Sequence, residues 1–191
     1  AMGAPTEMWS REQINLEYGF VENLDSMIRE VSPEGIWIAD LPAGGTTDDT
    51  RWKLLMADYL LTQSQESLEA KDFAKHILDE FNKFSTELDE IDSADLSSQE
   101  SVLLKMDWLR EWSKVSSPFI SNNLPAYVDS LGKFYGGEMV CAGLLYAPSI
   151  GAFFPGNPEK AYLEAYKLSI YDLGYAKDLT GLASALTAAG M

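Results

Sequence analysis

The sequence predicts an all-α fold, and three observations predict it. Apolar side chains recur at three- and four-residue spacing through much of the chain, the period of one helix face. Helix-start signals stand before several of these runs: Ser10 with Gln13, Ser97 with Glu100, and Asn157 before Pro158. No strand–turn–strand alternation competes with them, and no internal repeat is present. At 191 residues the chain is long enough to bury a core and reads as a single helical domain.

Taken in order, the Ser10/Gln13 capping box opens a short helix running to about Glu17. Residues 19–46 read as irregular, punctuated by Pro33, Gly35, Pro42, Gly44 and Gly45, with Gly35–Ala39 as an isolated strand candidate. From Thr47 a helix places Trp52, Leu55, Met56, Tyr59 and Leu60 on one face. A third helix runs from about Ser67 to Leu88, with Phe73, Ile77, Phe81, Phe84 and Leu88 at helical spacing. Ser97 with Glu100 opens a helix carrying Val102, Leu103, Met106, Leu109 and Trp112. Residues 116–132, with Pro118, Asn122, Asn123 and Pro125, read as a loop. A buried helix is expected from about Glu138 to Tyr146, another behind the Asn157–Pro158 start, and an Ala-rich one from about Ala176 to Ala189.

Composition restricts the function classes. Fourteen Lys and Arg against thirty Asp and Glu leave a formal charge of −16, with no basic cluster, which disfavours nucleic-acid backbones and anionic membranes as partners. One cysteine, Cys141, excludes an intrachain disulfide and points to a reducing, cytoplasmic setting. His76 is the only histidine and reads as a surface residue. With so little nitrogen and sulfur to work with, zinc sites and Cys–His dyads are unfavoured, and the chemistry narrows to carboxylates, hydroxyls and amides. The opening AMGAPTEMWSRE lacks a basic region followed by an apolar stretch, so it does not read as a secretory signal.

The stretch that carries chemistry is Gly44-Gly45-Thr46-Thr47-Asp48-Asp49-Thr50, a glycine-rich loop running into a helix. Two adjacent carboxylates with flanking hydroxyls present hard oxygen donors to one small volume, a set that selects magnesium, calcium or manganese over zinc. The same residues are good helix caps, and acids in a first turn complement the helix dipole. Taken alone, the motif is better explained by capping.

With its surroundings, the stretch resembles the first metal-binding signature of the ADP-ribosylglycohydrolase family. Met2-Gly3-Ala4-Pro5-Thr6-Glu7 is similar to the end of that family's earlier motif, and the Tyr18-Gly19 pair falls between the two motifs as it does there. Gly136-Gly137-Glu138-Met139 through Pro148 resembles the family's central helix and its following proline, and residues 158–189 resemble the Ala-rich helices beyond. The resemblance implies an all-helical, magnesium-dependent hydrolase, with two ions, that removes ADP-ribose from a modified protein or an ADP-ribose-like small molecule. It implies Thr47, Asp48 and Asp49 as metal ligands, with Glu7 and Asp48 at the reacting centre. The other reading is a structural or assembly protein that keeps the fold without catalysis.

The sequence departs from that pattern in three places. The family's second metal motif, Asp-x-Asp followed by Thr or Ser, has no counterpart after residue 100, and the acids between Asp89 and Asp95 lie too early and read as a solvated loop. The chain starts after the Gly-Asp that normally precedes the first motif. Where many members carry a histidine, this chain reads Ser169-Ile170-Tyr171-Asp172. The expectation is an N-terminal portion of such a domain, inactive alone. The remainder of the same polypeptide or a partner chain would complete the site and cover apolar surface on the last helices. Trp9, Trp37 and Trp52 are candidates to stack on adenine, although core filling is the commoner role of such residues. Asp172 and Asp178 are candidates to line the pocket or to cap a helix, and capping is the safer reading.

Overall fold

The structure is a computed structural model that describes residues 6, 9–26, 42–64, 67–134 and 141–191, without the side chains of Asp48 and Leu104. All regular structure among the described residues is helical. It comprises α1 (Arg11–Glu17), α2 (Asp48–Leu61), α3 (Ala70–Glu90), α4 (Leu96–Ile120), α5 (Leu124–Lys133), α6 (Ala147–Phe153), α7 (Pro158–Leu168) and α8 (Ala176–Ala189), with a 3-10 turn over Ala142–Leu145. The chain divides into two compact units, Ala1–Arg51 and Trp52–Met191.

In the first unit, α1 begins as expected: the Ser10 hydroxyl accepts from Gln13 N at 3.2 Å, and the Gln13 side chain accepts from Ser10 N at 2.8 Å. This exchange satisfies two of the amide donors that a helix start leaves without partners. The strand candidate at Gly35–Ala39 lies outside the described residues.

The second unit is built on helix pairs. Antiparallel α3 and α4 pack along one another, α5 packs on α4, and α6, α7 and α8 pack together, with α3 also touching α7. The core is rich in rings. Trp52 stacks on Trp112 with centroids 3.5 Å apart, and Trp112 also meets Phe134, Tyr146 and Tyr171. The apolar face expected for α2 is realised, with Trp52, Leu55, Met56, Tyr59 and Leu60 all buried. Trp52 therefore fills core and is not open to an adenine; Trp37 lies outside the described residues, and Trp9 is 40% exposed with its ring 6.2 Å from that of Tyr18.

Four expectations are corrected. Residues 116–132 are mostly helical: α4 runs on to Ile120 through Pro118, and α5 begins at Leu124. Pro118 lies in the last turn of α4, where a proline costs a single ladder bond, and Ser121 Oγ donates to the carbonyls of Ser117 and Pro118. Pro125 sits at a helix start, where its missing N–H is no loss, and Asn123 caps that helix by accepting from Ala126 N at 3.3 Å. The start of α4 is capped by Asp95, whose carboxylate accepts from Ser98 N at 3.1 Å, so the cap lies two residues before Ser97. Residues 135–140 lie outside the described part of the helix expected up to Tyr146; where it is described, a 3-10 turn takes its place and α6 starts behind it with Pro148 in its first turn. His76 is half-buried rather than on the surface; its ring lies 5.9 Å from that of Tyr59, and its Nε2 is enclosed without a hydrogen-bond partner.

Candidate metal centre

The loop into α2 is shaped by its glycines. Gly45 N donates to Pro42 O at 2.8 Å, closing a turn in which Gly44 takes φ +79°. A Cβ there would meet nothing closer than Leu24 Cδ1 at 3.6 Å, so the requirement for glycine is conformational and not steric. The chain then enters α2, where Thr47 O accepts from Thr50 N at 3.2 Å and from Arg51 N at 3.3 Å, as a residue does at the head of a helix.

Thr47 and Asp49 are brought together. The Thr47 hydroxyl donates to Asp49 Oδ2 at 3.3 Å, and Asp49 is exposed. Asp48 is the first residue of α2, which puts both acids in the first turn, where the helix dipole favours negative charge. Glu7 and Met2–Pro5 lie outside the described residues. Among the described residues, no group of three or more His, Cys, Asp or Glu side chains is placed to hold a metal ion. The fit is thus partial. A hydroxyl and a carboxylate, both hard oxygen donors, stand side by side, whereas a magnesium ion takes about six oxygens.

Elsewhere the structure encloses a second kind of carboxylate, at Asp172. Asp172, only 3% exposed, accepts from Gly143 N at 3.1 and 3.3 Å and from Thr180 Oγ1 at 2.7 Å. Burial raises its pKa above the usual aspartate value, against the pull of Thr180, the amides of Gly143 and Ala142, and Lys177. It therefore anchors the 3-10 turn to the head of α8 rather than capping a helix. Nearby, Tyr127 donates to Ile170 O, Tyr146 donates to Leu168 O at 3.1 Å, and Tyr171 shares a hydrogen bond with Ser116. These bonds pin the α7–α8 connection to the core. Asp178 is not a cap either; it accepts from Tyr162 Oη at 2.7 Å.

Comparison with known proteins decides the lineage. The family model described as ADP-ribosylglycohydrolase matches residues 1–191. The chain belongs to that family. No curated protein and no solved structure matches it. The ADP-ribosylglycohydrolases are hydrolases, generally metal-dependent, that act on ADP-ribosylated substrates, and their all-helical fold agrees with the helices described here. Among the described residues, no helix is long and apolar enough to cross a membrane.

Proposed function

We propose that this ADP-ribosylglycohydrolase-family chain contributes the Thr47-Asp48-Asp49 side of a dinuclear magnesium site in a hydrolase that releases ADP-ribose, or a related glycosyl group, from a protein or small molecule. The observation that carries the reading is the Thr47 hydroxyl paired with the Asp49 carboxylate at the head of α2. Thr47, Asp48 and Asp49 would hold the ions through oxygen alone, which suits magnesium. Bound magnesium supplies Lewis-acid polarisation and orients the ribose hydroxyls. Glu7 serves as the base: as the water oxygen bonds to the anomeric carbon, the glycosidic bond breaks with its electron pair on the departing heteroatom. The water proton that the Glu7 carboxylate accepts passes on to neutralise that leaving group. Asp48 shares the reacting centre, where its charge offsets the positive charge that develops on the ribose.

The remaining oxygen donors come from the rest of the same polypeptide or from a partner chain, because the sequence holds no Asp-x-Asp after residue 100. Calorimetric titration of magnesium into the complete protein tests the ligand assignment. Asp48→Ala is expected to weaken binding at least tenfold, and equal affinity in the two proteins would overturn it. For Glu7→Gln, the expected result is a loss of about 10²–10⁴ in turnover of an ADP-ribosylated substrate with the helical fold unchanged. Near-normal turnover would remove Glu7 from the chemistry.

A further inference from the structure

We draw no further inference here: the strongest candidate, the exposed apolar stripe of Tyr175, Leu179, Leu182 and Leu186 along the outer face of α8, carries nothing because nothing in the structure shows what covers it.

Discussion

At Asp172 a carboxylate is held out of water, and its stability rests on donated hydrogen bonds. Removing it strands the Gly143 amide and the Thr180 hydroxyl in the core, so Asp172→Ala is expected to destabilise the protein by about 2–4 kcal/mol. Asn keeps the shape. Its carbonyl oxygen can accept from Gly143 N and its amide can donate to Thr180, so Asp172→Asn is expected within about 1 kcal/mol of wild type. The pH dependence has a definite sign. Because the folded-state pKa is raised, the folded state holds the proton over a range where the unfolded chain has released it. Stability therefore falls as pH rises from the ordinary aspartate value through the raised one. Denaturant titrations over that range should find wild type losing ground to Asp172→Asn as pH increases; a difference that is flat with pH contradicts the assignment. None of this was legible in the sequence, where Asp172 reads like a helix cap. Its partners come from Gly143 and Thr180, and only folding brings the first of these, 29 positions away, into contact.

At the scale of elements, α8 shows how small residues set helix spacing. Its inner face is Ala176, Thr180, Gly181, Ser184 and Ala188, all buried. A Cβ at Gly151 of α6 would lie 2.4 Å from the Ser184 carbonyl oxygen, a backbone atom that cannot turn aside. Gly151→Ala is therefore expected to separate α6 from α8 and to cost about 1–3 kcal/mol or more. Gly132 in α5 is the control. A Cβ there meets nothing within 4 Å, so Gly132→Ala should be neutral or stabilise by up to about 1 kcal/mol. Paired thermal melts of the two variants check both statements, and similar melting points would show that α6 and α8 are not in tight contact at Gly151. The helices themselves were largely legible: α1, α2, α7 and α8 start at or within a residue of where periodicity and caps place them. The misreadings cluster at proline. Pro118 and Pro125 read as loop residues, yet Pro118 sits in a last turn, where it removes a single ladder bond, and Pro125 in a first turn, where its missing N–H is no loss.

At the scale of the whole molecule, the question is whether these residues alone could complete the proposed metal site. Two neighbouring oxygen donors are described, and the sequence after residue 100 offers no Asp-x-Asp to add to them. Residues 1–191 by themselves are therefore expected to bind magnesium weakly and to release no ADP-ribose from a modified protein at excess magnesium. Chromatographic detection of free ADP-ribose checks this, and efficient release by these residues alone would show that they complete their own site.

The sequence by itself determined the helical class, through a 3.6-residue apolar period that needs only local information. It also determined an acidic chain with one cysteine and one histidine, because residue types are countable without a fold, and a glycine-rich loop, Gly44–Thr50, that runs into a helix. Tertiary structure decided which aromatics fill core, placing Trp52 against Trp112. It decided that Asp172 ties a 3-10 turn to α8, and that His76 is half enclosed. Periodicity reports which face of one helix is apolar. What meets that face depends on pairings between segments far apart in the chain, and those are settled only when the helices pack.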